Sequence, residues 1–136
     1  MSDQEKGKEL ILLVDDDEHI LRSLEIYLKM EEFRVITASG GREAIDILNE
    51  TRPDLIVLDI MMPEIDGFQV LEHIKGRPET RTVPVIMLTA KSQDVDVLKG
   101  YQEGIASYMT KPFNLNELVD NINLIFESIS ADSKKK

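Results

Sequence analysis

No cysteine occurs in the 136 residues. Disulfide frameworks and thiolate metal centres are thereby excluded, and cysteine pairing says nothing about redox compartment. Long apolar runs are also missing: none approaches the ~18 residues of a membrane span, and residues 1–9 are polar, without the apolar core of a signal peptide. A soluble cytoplasmic protein with no membrane insertion is the expectation. Neither a P-loop nor a dinucleotide glycine pattern is present, so nucleotide binding has no support. The two histidines, His19 and His73, lack metal-ligand spacing and read as helix-surface residues. Positive charge is scarce, with 16 Lys and Arg against 26 Asp and Glu and a formal net charge of −10. Repulsion on that scale opposes nonspecific binding to DNA or anionic lipid, and three lysines at 134–136 do not reverse it. No direct nucleic-acid binding by this chain is expected.

What the chain does have is an alternation. A chain of this size forms one domain and can bury about 70% of its unfolded surface. Short strand-like runs and amphipathic stretches alternate five times, which predicts an α/β fold with a parallel sheet and helices on both faces. Strands are expected over 9–14, 33–37, 54–59, 85–89 and 106–110. The run at 54–59 is nearly continuously apolar, as in a central strand buried on both faces. Helices are expected over 18–31, with Ile20, Leu21, Leu24, Tyr27 and Leu28 on one face, after the Ser39, Gly40, Gly41 turn, and from Gly67. A further helix over 92–103 has the weakest apolar stripe. The last helix carries Leu115, Leu118, Val119, Ile122, Ile125, Phe126 and Ile129 at helical spacing, and Asn114 with Glu117 has the form of a capping box. No internal repeat beyond the alternation is present.

Asp15 with Asp16, Asp59, Thr89 and Lys111 each close one of the apolar runs. In open parallel sheets ligands bind at the carboxyl ends of the strands, where strand order reverses, so these residues can converge although far apart in sequence. Singly, each has a plain explanation. Asp15, Asp16 and Asp17 suit a helix N-terminus, Asp59 a turn, Thr89 its own loop, and Lys111 the surface. Jointly, acids, a hydroxyl and an ammonium suit a phosphoryl group and a hard cation. A carboxylate attacks phosphorus poorly until the phosphoryl charge is screened, which Mg²⁺ held by carboxylates does. Asp15 and Asp16 would supply anionic oxygens, and Asp59 would be both ligand and nucleophile. Lys111 would neutralise one phosphoryl oxygen and Thr89 would donate a hydrogen bond to another.

At these residues the chain resembles the receiver domain of two-component response regulators. The resemblance rests on Leu-Leu-Val-Asp-Asp-Asp at 12–17, Leu-Asp-Ile-Met-Met-Pro-Glu-Ile-Asp-Gly at 58–67, Met-Leu-Thr-Ala-Lys at 87–91 and Tyr-Met-Thr-Lys-Pro-Phe at 108–113. It implies a doubly wound, flavodoxin-like sheet of five parallel strands in the order 2-1-3-4-5. It also implies that Asp59 is the phosphoacceptor, that Asp15, Asp16, Asp59 and the Met61 carbonyl bind Mg²⁺, and that Thr89 and Tyr108 are the switch residues. Lys111 would contact phosphate, Pro63 and Gly67 would shape the loop after Asp59, and the Lys111–Pro112 bond would be cis, against about 5–6% of such bonds generally. The implied partners are a histidine kinase or histidine phosphotransfer protein and an output partner or effector domain that the sequence does not name. Such a chain catalyses only its own phosphorylation and slow autodephosphorylation, with Met61 and Lys91 flanking the water's approach and tuning the lifetime. The expected organisation is a disordered tail at 1–8, the receiver domain at 9–130, and a polar tail or the start of a linker at 131–136.

Departures from the family pattern also occur. Gly104 is followed by Ile105, Ala106 and Ser107 where many members carry Gly-Ala-Asp-Asp, and Asn121 replaces an arginine that pairs across a dimer in a transcription-factor subgroup. One competing reading is a docking module that works without phosphorylation, against which the intact set of Asp15, Asp16, Asp59, Thr89 and Lys111 argues. Another is a hydrolase acting on external phosphate esters, which would place a second acid where Met61 stands.

Overall fold

The computed structural model describes residues 8–90 and 104–135. The expected helix over 92–103 and Lys91 lie outside them. In chain order the elements are β1 Leu10–Val14, α1 Glu18–Met30, β2 Arg34–Ala38, α2 Gly41–Glu50, β3 Leu55–Asp59, α3 Gly67–Lys75, β4 Val85–Thr89, β5 Ser107–Thr110 and α4 Leu115–Lys135. The five strands form one parallel sheet in the order β2-β1-β3-β4-β5, the topology the resemblance implied.

The period-2 geometry of a strand sends alternate side chains to opposite faces. In the three central strands both faces are covered, and so their runs are continuously apolar rather than alternating. Leu12, Val14, Ile56, Leu58, Val85 and Met87 meet Ala44 and Leu48 of α2 and Val70, Leu71 and Ile74 of α3. Their neighbours Ile11, Leu13, Leu55, Val57, Ile86 and Leu88 meet Leu21, Leu24 and Leu28 of α1 and Leu118, Val119 and Ile122 of α4. The sheet is therefore doubly wound. Among the described residues no helix is long and apolar enough to cross a membrane.

Helix starts follow local chemistry. Asp17 caps α1, accepting from the His19 and Ile20 amides, and Asp66 forms a capping box with Gln69 at α3. Asn114 and Glu117 exchange the reciprocal bonds expected at α4. Strand bounds differ from the sequence expectation by one residue at β1, β2, β3 and β5. Just before β3, the Asp54 carboxylate accepts the Leu10 amide at 2.7 Å while the Asp54 amide donates to the Leu10 carbonyl at 2.7 Å. Helix α4 continues past its last apolar residue, Ile129, to Lys135, in a stretch without proline or glycine to stop it.

Candidate functional site

Register brings the run ends together. Val14 is the partner of Leu58 across β1 and β3, so Asp15 and Asp59 stand level on adjacent strands. Leu88 is the partner of Asp59, and Thr89 of Thr110, which puts Thr89 and Lys111 one residue beyond on β4 and after β5. The Lys111 amide donates to the Thr89 carbonyl at 2.7 Å, and the Lys111–Pro112 bond is cis. Strand order reverses between β1 and β3, so the cluster occupies the crevice position of an open α/β sheet.

Asp15 and Asp59 are buried, at 1% and 4% exposure, whereas Asp16 is exposed. Carboxylate oxygens of all three lie within 4.8 Å of one another. The Lys111 ammonium stands 2.9 Å from Asp15 Oδ2 and 3.3 Å from Asp59 Oδ1. Asp15 is held from its other side by the Asp17 amide, which donates to Oδ1 at 2.9 Å. The plain helix-N-terminus explanation therefore holds for Asp17, which caps α1, and fails for Asp15, while the turn explanation fails for Asp59, since both of these are buried against Lys111. That Asp17 amide contact was not legible in the sequence, where the third acid signalled only a helix start.

Among the described residues one ammonium lies against two of these three carboxylates, and proton affinities register both the burial and the imbalance of charge. Burial pushes the Asp59 carboxyl up, the charge of Asp15 pushes it further, Lys111 opposes both and Asp16 adds a little, leaving it at about 6. Burial pulls the Lys111 ammonium down, but its hydrogen bond to Asp15 and the charges of Asp59 and Asp15 outweigh that and hold it above the ordinary lysine value. Hard, anionic oxygen donors with net negative charge, confined within one small crevice, fit a small divalent cation of the Mg²⁺ type. Among the described residues, Asp15, Asp16 and Asp59 are the side chains that could hold it.

Thr89 is fully buried at the end of β4. Tyr108, in β5, is 44% exposed, and Met61, two residues past Asp59, is 63% exposed. Gly67 lets the start of α3 approach the end of β3: a Cβ added there would stand 2.8 Å from Ile60 Cα, so no side chain fits without displacing backbone. His19 is exposed, and His73 is half-buried with its ring against Asn49. Burial and the Arg77 charge lower the proton affinity of His73. Neither histidine belongs to the acid cluster.

Comparison with known proteins places these features in a family. The model described as "Response regulator receiver domain" matches residues 11–123. The transcriptional regulatory protein AfsQ1 of Streptomyces coelicolor is 44% identical over 102 residues, covering 75% of this chain and 44% of that protein. The transcriptional regulatory protein SrrA of Staphylococcus aureus is 40% identical over 109 residues, covering 80% of this chain and 44% of that protein. The chain thus spans less than half the length of these curated relatives. Among solved structures, the receiver domain of the Francisella response regulator 1452 superposes with a TM-score of 0.81 at 29% identity, covering 90% of this chain and 99% of that one. The signal receiver domain of a signal transduction histidine kinase from Syntrophus aciditrophicus gives 0.80 at 34% identity, with 89% and 92% covered. Because the family match runs from Ile11 in β1 to Asn123 in α4 and so takes in each strand end that carries a site residue, this chain belongs to the response regulator receiver domains of two-component systems.

Proposed function

We propose that this receiver accepts a phosphoryl group on Asp59, in a Mg²⁺-dependent step, from the phosphohistidine of a histidine kinase or histidine phosphotransfer protein. The observation that supports this most is the buried Asp59 carboxylate, 3.3 Å from the Lys111 ammonium, with two further carboxylates within 4.8 Å. Asp15, Asp16, Asp59 and the Met61 carbonyl would hold Mg²⁺, which when bound screens phosphoryl charge against the incoming nucleophile. Above about pH 7 a carboxyl titrating near 6 is ionised, so the nucleophile is available. An Asp59 oxygen attacks phosphorus, the new O–P bond forms as the donor's N–P bond breaks, and the electron pair leaves on the imidazole nitrogen. Lys111 neutralises one phosphoryl oxygen and the Thr89 hydroxyl donates to another.

A phosphoryl group adds about −1.5 to −2 charges and strong acceptor oxygens. It draws Thr89 inward, and Tyr108 leaves its half-exposed position for the space so opened. The population shifts toward a conformer whose β5 and α4 surface engages an output partner or effector domain. The chain acts on no external substrate. It catalyses its own phosphorylation and a slow loss of phosphate, slow because Met61 has no group to orient the attacking water and Lys91 is a donor unable to accept the water's proton.

Labelling with a small acyl phosphodonor and Mg²⁺, followed by mass mapping, tests the reading. Asp59 is expected to be the sole acid-labile site, with label lost on chelation. Label retained at wild-type level in Asp59→Asn would refute it.

A further inference from the structure

We propose that Gly41, the first residue of α2, is a positioning residue for the loop that follows Asp59 and thereby for metal binding. The inference rests on the phosphoacceptor reading above. The loop over 60–66 is drawn closed by the Gly67 amide, which donates to the Ile60 carbonyl at 2.8 Å, and by the Ile65 amide, which donates to the Pro63 carbonyl at 2.8 Å. Met62 and Ile65 turn inward onto the core that also contains Ala44 and Leu48 of α2. Gly41 meets the loop from the other side. A Cβ at Gly41 would stand 2.6 Å from the Ile65 carbonyl oxygen, 2.7 Å from its Cγ2 and 2.8 Å from its Cβ.

No glycine among the described residues has positive φ, so Gly41 serves by taking no room rather than by adopting a special backbone conformation. Its neighbour Gly40 provides the contrast, because a Cβ there would meet nothing within 4 Å. The carbonyl that Gly41 touches belongs to the peptide just before Asp66, whose side chain and amide exchange two 2.9 Å hydrogen bonds with Gln69 to start α3. Between this seam and Asp59 lie Met61 and Glu64, the latter held at φ 68. A methyl group at 41 must push the Ile65 peptide. With a close-packed core behind it, the displacement passes along the loop toward the Met61 carbonyl. Groups that orient a metal ligand without touching the ion typically change metal affinity by about 10- to 100-fold, and the lower end is expected here.

Calorimetric Mg²⁺ titration of the whole chain, with amide NMR spectra of the metal-free forms, tests this. Gly41→Ala is expected to weaken Mg²⁺ about tenfold and to move the amide signals of Met61, Met62 and Ile65. Gly40→Ala, the same change in open space, and Ile122→Ala, a destabilising change on the opposite face of the sheet, are expected to bind Mg²⁺ like wild type. Unchanged affinity in Gly41→Ala, or an equal loss in Ile122→Ala, would overturn the proposal. If Gly41→Ala does not fold, Ile65→Ala loosens the same contact from the loop side and is expected to weaken Mg²⁺ as well. Wild-type affinity in that variant would also overturn it. Failure of the wild type itself to bind Mg²⁺ would remove the phosphoacceptor reading along with this inference, whereas wild-type binding with an unaffected Gly41→Ala removes this inference alone.

Discussion

Asp54 and Asp59 flank β3, and the two ends of the sheet treat a carboxylate in opposite ways. At the amino end Asp54 accepts the Leu10 amide at 2.7 Å. In the segments that lead into β3 and β4, Thr80 donates to the Ile74 carbonyl at 2.8 Å, Arg52 to the Glu79 carbonyl at 3.0 Å and Lys75 to the Arg81 carbonyl at 2.9 Å. Each of these side chains satisfies a backbone group that a strand start, a helix end or a turn leaves over. At the carboxyl end Asp59 is buried beside two more acids, one lysine offsets only part of their charge, and its proton affinity rises in consequence. Polar groups at one pole stabilise the fold. At the other they concentrate negative charge that, among the described residues, Lys111 offsets only in part, an arrangement typical of sites built to bind or react.

The largest expected difference between the poles is chemical. Asp59→Asn should abolish acid-labile labelling by an acyl phosphodonor, while Asp54→Asn should label as wild type. Labelling lost equally in both would mean that the poles are coupled through overall stability.

Stability of the chelated protein should then move in opposite directions. An Asp59 carboxyl raised from an ordinary 3.8 to about 6 favours the folded state when protonated. That contribution is complete below about pH 4 and is lost as pH rises through about 6. Removing the charge with Asp59→Asn should therefore stabilise the metal-free chain at pH 7.5 by about 2 to 3 kcal/mol, and the gain over wild type should fade on acidification toward pH 4. Asp54→Ala leaves the Leu10 amide without its acceptor and should destabilise by about 1 to 3 kcal/mol. Urea unfolding across pH in chelator measures both, and stabilities that fall together would break the contrast.

Mg²⁺ should sharpen it. A cation that binds only the folded state adds about 2.7 kcal/mol at 100 times its dissociation constant, and it should also flatten the pH dependence attributed to Asp59. Asp16→Asn should reduce that gain, whereas Asp54→Asn should leave it intact; thermal melts with and without Mg²⁺ distinguish the two. The smallest effect concerns the phosphorylated form. Giving the attacking water a partner through Met61→Asn with Lys91→Glu should speed decay roughly tenfold, a change of about 1.4 kcal/mol in the barrier. A time course of phosphate loss that does not accelerate would free these two side chains from any control of lifetime.

Much of this molecule was legible in the chain. The alternation of runs predicted a doubly wound parallel sheet, continuous apolarity marked the central strands, and the Asn114 and Glu117 pair marked the start of α4. These are local signals, because side-chain period and capping act over a few residues. The members of the candidate site were also recognisable, since Asp15, Asp16, Asp59, Thr89 and Lys111 each end a run. Their sequence neighbourhoods did not reveal which terminal acid would be buried against Lys111 and which would cap a helix. Nor did they show that Asp54 accepts an amide from another strand, or that only the second glycine of Gly40 and Gly41 stands against the loop after Asp59. Those outcomes depend on register between strands and on close approach between elements, as with Asp15 and Lys111, 96 residues apart and joined by a 2.9 Å bond. Which residues stand at strand ends follows from local periodicity and can be read from the chain; which of them meet does not, because burial and electrostatic coupling are properties of groups brought together by packing across the sheet.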